Sequence, residues 1–297
     1  MFRQIGHFIL HLRLHYQFLI LSGGYLLGGL MSDSMDTLSY WMQFLNVHVL
    51  LYGGATAYNS WWDKDEGPIG GLRNPPKMAK WMHPVSLLFM FSGLIWAFVS
   101  VGWVFAAVYA VSLLLFWLYS TPLARWKGHP VLSMIAIGVS TGLNSVLLGA
   151  LAAGGILTPV IITAAVGASL ILLSLYPVSQ IFQIMEDKQR GDRTFAAVFG
   201  LSAVKKFYYL SYFSGIILLS YAMIQKFPVP AIALGVAGTI SGIIIGKIIV
   251  NLTGVTEEYS TVMRIKFMAS LSFVIFLFVS NLIRHDWVTI DSLQLYF

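Results

Sequence analysis

The chain has 297 residues, 58% of them hydrophobic and 10% charged, with a mean hydropathy of +0.78 and a formal net charge of +6. That composition excludes an ordinary soluble domain, and the absence of cysteine excludes disulfides and thiolate metal sites. The positive charge is spread over several polar segments rather than gathered into a stripe, which argues for membrane topology and against nucleic acid as a partner.

Apolar runs long enough to cross a bilayer as helices recur about nine times, at roughly 14–32, 37–60, 84–101, 103–119, 130–152, 157–178, 205–225, 229–249 and 267–284. The polar segments between them are short, so the expectation is a single all-α membrane domain over 1–297, a polytopic bundle. Residues 1–31 lack a small-residue cleavage site, and Arg13 and His15 interrupt their apolar stretch, so they are read as mature structure. If Arg3 and Arg13 are cytoplasmic, the loops carrying Lys64, Arg73, Lys77 and Lys80, then Arg125 and Lys127, then Lys188, Arg190, Arg193, Lys205 and Lys206, then Arg264 and Lys266 share that side. The opposite loops hold Asp33, Asp36 and Lys226, so the charge bias predicts a cytoplasmic N-terminus and a C-terminus on the other side. Glycines inside spans, among them Gly53, Gly142, Gly149 and Gly215, permit close helix crossing as ordinary membrane packing. Asn144, deep in the fifth span, predicts an interhelical hydrogen bond.

Half of the acidic residues fall in two clusters, at 59–66 and 183–193, each where an even-numbered span meets a loop of roughly twenty residues. Asn59 and Asp63 are four residues apart, as are Gln183 and Asp187, so each pair projects from one face of a helix end. Oxygen donors facing one another in this way suit Mg²⁺, which retains water and is usually completed by substrate phosphate. Asp65, Glu66 and Glu186 lie close by as further oxygen donors, and the surrounding Lys and Arg would balance the phosphate oxygens. Solvated loop charge is the plainer reading, disfavoured because carboxylates at a membrane helix end are costly and occur here twice at one spacing. Trp61, Trp62, Tyr176 and Phe182 beside the clusters are read first as interfacial or packing aromatics. His83 and His129 have no partner at metal-ligand spacing and are read as loop residues. The stretch Gly67 to Gly71 lacks the strand and the lysine ending of a phosphate-binding loop and is expected to fold back over the cavity mouth as a lid.

With Tyr119-Ser-Thr-Pro-Leu-Ala-Arg125-Trp-Lys127 between them, the two clusters resemble the UbiA superfamily of intramembrane prenyltransferases over nearly the whole chain. That family's first motif, N-D-x-x-D-x-x-x-D, is met by Asn59, Ser60 and Asp63. Its second, D-x-x-x-D followed by a basic stretch, G and R-T, is met by Gln183, Asp187, Lys188, Gly191, Arg193 and Thr194. Its Y-S-x-P segment is met by Tyr119, Ser120 and Pro122, with Lys127 as the basic residue. Three carboxylates depart from the pattern: Ser60, Gly67 and Gln183 stand where aspartates are expected, which leaves one or two Mg²⁺ open.

The resemblance implies Mg²⁺-assisted departure of diphosphate from an allylic polyprenyl donor and transfer of the isoprenoid to a small-molecule acceptor, often aromatic, in membrane lipid. It implies Asp63, Asp187, Lys127 and Arg193 as catalytic residues and Asn59, Asp63, Gln183 and Asp187 as metal ligands. Arg13, Arg73, Tyr119, Arg125 and Lys188 are the expected diphosphate or acceptor contacts; for Arg13, anchoring is an equal alternative. The same scaffold supports terpene cyclisation without an acceptor, which stays open. A transporter would place ionisable groups near mid-membrane, whereas here they gather at one surface.

Overall fold

The computed structural model describes residues 2–64 and 67–288, and they are almost entirely helical. Helix α1 (Phe2–Leu12) is followed by α2 (14–31), α3 (37–63), α4 (Met82–Ser100), α5 (Trp103–Ser120), α6 (Pro130–Ala152) and α7 (Pro159–Leu175). Then come the short α8 (Ile184–Arg190), α9 (Phe195–Ile224), α10 (Pro228–Val250) and α11 (Tyr259–Arg284). Seven helical segments among the described residues are long and apolar enough to cross a membrane. The first two expected spans, α2 and α3, are helical as well, each widened by a π-helical stretch at Gln17–Leu21 and Asn46–Gly53. Long helical segments therefore stand at all nine expected positions.

Successive helices pack on one another, and α11 returns to pack against α2, which also lies along α6, so the bundle closes on itself. Several crossings are tight enough to require glycine. A Cβ on Gly149 would lie 2.0 Å from the Tyr25 carbonyl oxygen, and one on Gly215 would lie 2.7 Å from the Gly167 carbonyl oxygen. Large apolar side chains such as Leu210 and Ile217, a heptad apart on α9, stay 71% and 67% exposed, which only a lipid environment tolerates at this density. Polar groups inside are paired across helices, as hydrocarbon requires. Asn144 donates to Ser112 Oγ at 2.9 Å, as the sequence predicts, and Asn281 donates to the Leu26 carbonyl at 2.9 Å.

The second cluster is built differently from expectation. Pro177, lacking an N–H, breaks the α-helical ladder, and the chain tightens into a 3₁₀ turn over Pro177–Gln183 before α8 resumes. Gln183 and Asp187 thus lie on a separate short turn instead of the end of a continuous span. Nor is there a twenty-residue loop after it. Gly191 at φ 75° ends α8, Thr194 caps a short helical turn at 195–199 by accepting from Ala197 N, and Gly200 (φ 75°, ψ 175°) breaks that turn from the long part of α9, which runs from 201, four residues before the expected 205. Lys205 and Lys206 suggested a loop there, but Lys205 Nζ donates to the Val250 and Leu252 carbonyls at 2.7 and 2.9 Å, covering the C-terminal end of α10.

Candidate functional site

Each polar segment expected at the charged end of the bundle meets the others there. Asp63 ends α3, and its carboxylate forms an ion pair with Lys127 from the loop after α5. Asn59 Nδ2, one turn back, donates to Asp63 Oδ2 at 2.7 Å, and Ser120 Oγ donates to Asn59 Oδ1 at 3.0 Å. In this arrangement the nitrogen of Asn59, not its oxygen, faces the carboxylate, and Ser120 holds it so.

Asp187 is buried on α8 and accepts from Thr194 Oγ1 at 2.8 Å, while its backbone carbonyl accepts from Asp192 N at 2.8 Å. Asp192 takes a two-pronged contact from Arg125, whose Nε and Nη2 each donate at 2.9 Å. Arg193 N donates to the Gly128 carbonyl at 2.9 Å. The loop 121–129 is therefore stitched to the second cluster by Arg125 and Gly128 and to the first by Lys127. Gly67, just past the first cluster, also comes near the second, since a Cβ on it would lie 3.9 Å from Glu186 Oε2.

Burial pushes the Lys127 ammonium down to about 8; Asp192 and Asp187 pull it back up, and Arg190 adds to the depression. Below that value Lys127 is a desolvated cation between two acidic groups, well suited to an anionic ligand. Three of the four non-glycine residues with positive φ among the described residues are cations at this end: Arg13 (φ 50°), Lys64 (φ 50°) and Arg125 (φ 44°). Each such residue costs roughly 1–2 kcal/mol, a strain that clusters at functional sites.

Arg13 is buried between α1 and α2, and it donates to Ser60 Oγ at 2.9 Å and to the Gly70 carbonyl at 3.0 Å. Ser60 stands at a position where the first motif has an aspartate, so a guanidinium grips the site of a missing carboxylate. The loop from Gly67 packs against the start of α2 and against α11. An Ile69–Leu72 turn with Gly71 at φ 83° is held by Arg13, by His15 Nε2 at 2.9 Å from the Gly71 carbonyl, and by Tyr259 Oη donating to the Ile69 carbonyl at 3.2 Å. Below the polar groups, the Tyr119 and Tyr176 hydroxyls lie 3.0 Å apart, and Lys266 Nζ donates to Tyr16 Oη at 2.5 Å.

Of the predicted site residues, Asn59, Asp63, Lys127, Arg125, Asp187 and Arg13 are brought into this network. Glu186 is paired with Arg190. Gln183 is half-buried, at the start of α8. Arg73, Lys188 and Arg193 are exposed, without a side-chain partner among the described residues. Asp65 and Glu66 lie outside the described residues. Sequence reasoning missed Ser120 as the holder of Asn59 and Asp192 as the partner of Arg125. Both lie inside quoted motifs, but their partners are 61 and 67 residues away. His129, read as a loop residue, caps α6 by accepting from Val131 N and Leu132 N. Among the described residues no three Asp, Glu or His side chains converge into a preformed metal cage. The available donors are carboxylates on separate helix ends.

Three solved structures share this architecture. A UbiA homologue from Archaeoglobus fulgidus bound to GPP and Mg²⁺ is 16% identical with a TM-score of 0.73, over 93% of this chain and 99% of that one. The form bound to DMAPP and Mg²⁺ is 17% identical with a TM-score of 0.71, over 92% and 98%. The apo UbiA homologue from Aeropyrum pernix K1 is 17% identical with a TM-score of 0.59, over 93% and 99%. At these identities the likeness shows the fold. No curated protein matches the chain in sequence. The UbiA prenyltransferase family, however, matches it over residues 19–271, taking in all three motif segments, and the chain belongs to that family.

Proposed function

We propose that the protein transfers an isoprenoid group from an allylic polyprenyl diphosphate to a small, aromatic acceptor within the membrane. The observation that carries this reading is Lys127, a buried cation paired with Asp63 of the first cluster and in the field of Asp187 and Asp192 of the second. Charge of both signs is concentrated where two family motifs meet, at the polar end of an apolar bundle. An amphiphile with an anionic head and a hydrocarbon tail fits that boundary. The homologue from Archaeoglobus fulgidus bound to GPP or DMAPP with Mg²⁺ supports the same ligand class here.

The donor set fits Mg²⁺. That ion binds through one or two carboxylates plus substrate phosphate, not through an all-protein cage, and two carboxylates on separate helix ends without a preformed cage meet that requirement. Asp63 and Asp187 would hold it, with Gln183 and Glu186 beside Asp187 as further oxygen donors. When bound, it supplies positive charge to the departing diphosphate.

The chain's own residues do the remaining work. The bond between the allylic carbon and the diphosphate oxygen breaks with its electron pair on the oxygen, and Lys127 and Arg13 stabilise the growing negative charge. Arg193, Lys188 and Arg73, exposed at the rim, are positioned to add to it once a polyanion is bound. Arg125 acts through Asp192, holding the loop that carries Lys127. The allylic cation left behind is attacked by the acceptor carbon, which then releases a proton. The apolar bundle beneath the polar end keeps water from the cation, and the Tyr119 and Tyr176 rings line that transition. The charge bias across the bundle supports a cytoplasmic position for this end.

Protein in lipid nanodiscs, incubated with a panel of allylic diphosphates with and without Mg²⁺ and aromatic acceptors, tests the reading. Prenylated acceptor and released diphosphate are expected, both lost in Asp63→Ala and Asp187→Ala with the fold retained. Full turnover by both variants would refute it, and a hydrocarbon or alcohol formed at catalytic rate from donor alone would replace transfer by cyclisation.

A further inference from the structure

The Asn59–Asp63 pair occupies one face of α3. One residue along, Ser60 projects about 100° around the helix, and Lys64 follows Asp63 as the helix C-cap. That face lines a cleft of about 420 Å³ between the ends of α1 and α3 and the loop 67–81. Three cations edge it, Lys64, Lys77 and Lys80, while Trp61, Pro75 and Met78 contribute apolar surface. None of the three lysines forms an ion pair with a described acidic residue. Lys64 is held in the left-handed conformation at φ 50°, an unfavourable state for lysine, at the C-terminal end of α3.

The cleft also sits at a polar–apolar boundary. Helix α1 beside it buries Phe8 and Leu12 and leaves Phe2, Ile5 and Ile9 exposed, as a helix lying in a membrane interface does. A ligand suited to this place has anionic oxygens at one end and hydrocarbon at the other. Phosphate suits it better than carboxylate, because its several oxygens engage more than one lysine at once and lysine binds phosphate as a point charge. A volume of this size holds a headgroup.

We propose that this cleft is a second, phosphate-binding site for an amphiphile, bordering the Asp63–Asp187 site at Ser60 but using its own three lysines. The headgroup phosphate lies among Lys64, Lys77 and Lys80, and the adjoining carbons lie on Trp61, Pro75 and Met78. The inference rests on the cleft and does not depend on the prenyl-transfer reading. A bilayer phospholipid and a phosphorylated soluble molecule share the required chemistry, and the experiment separates them.

The full-length protein is placed in phosphatidylcholine nanodiscs, and binding of phosphatidic acid is read by native mass spectrometry, with glycerol 1-phosphate as a soluble competitor. Phosphatidic acid is expected to be retained in preference to phosphatidylcholine. In the triple variant Lys64→Gln, Lys77→Gln, Lys80→Gln, binding is expected to weaken about 100-fold, at about fivefold per lysine near a charged lipid surface. Because all three side chains are exposed, the variant keeps its fold. Asp63→Asn is expected to bind phosphatidic acid as wild type does. Displacement by millimolar glycerol 1-phosphate identifies the phosphomonoester alone as sufficient, and persistence against it identifies the bilayer lipid; either supports the site. Equal retention of the two lipids by wild type, undiminished binding by the triple variant, or loss of binding in Asp63→Asn would overturn it.

Discussion

Lys127 makes a prediction with a sign and a size. Burial holds its ammonium near 8 instead of 10.5, and the free protein needs the charged form to receive a diphosphate. Activity therefore falls as pH rises through about 8. Between pH 7 and pH 9 the charged fraction drops from about nine-tenths to about one-tenth, so kcat/KM, which reports the free enzyme, declines about tenfold. Lys127→Arg keeps its charge well above this range and removes that alkaline limb, although the planar guanidinium fits the pocket differently and lowers the plateau. Lys127→Gln loses the charge outright, and a hydrogen bond to a charged group is worth about 1.5–3 kcal/mol, or roughly 10- to 150-fold in kcat/KM at pH 7. The assay is release of diphosphate from an allylic donor at saturating Mg²⁺ across pH 6 to 10, in nanodiscs. An unchanged alkaline limb in Lys127→Arg and Lys127→Gln would refute the placement of Lys127 at the diphosphate.

Three further outcomes follow from packing and pairing. Gly149→Ala brings a methyl group to 2.0 Å from the Tyr25 backbone oxygen, so α2 and α6 must move apart at a cost of about 1–3 kcal/mol. Gly6→Ala, on the exposed surface of α1 with nothing within 4 Å, is expected to stabilise that helix by about 0.5–1 kcal/mol; equilibrium unfolding in mixed micelles distinguishes the two signs. A double-mutant cycle of Arg125→Gln and Asp192→Asn should show coupling of about 1 kcal/mol, modest because Arg125 is 36% exposed, and a greater loss in kcat/KM than in stability if the pair positions Lys127.

What the sequence determined by itself is local. Apolar runs of span length locate the nine long segments, because transfer of side chains into hydrocarbon is summed residue by residue along the chain. An even number of crossings between Asp63 and Asp187 puts both clusters at one end, and motif spacing identifies the residues there. Three features were decided only by tertiary structure: Lys127 on Asp63, Ser120 on Asn59 and Arg125 on Asp192, partners 61 to 67 residues apart in the last two pairs. Hydropathy also scores Lys205 as a loop charge, whereas that ammonium lies on α9 and is satisfied by carbonyls of α10. A charge at a helix end is costly or cheap according to the partner it finds, and that partner is brought to it by the packing of the bundle, not by its neighbours in the chain.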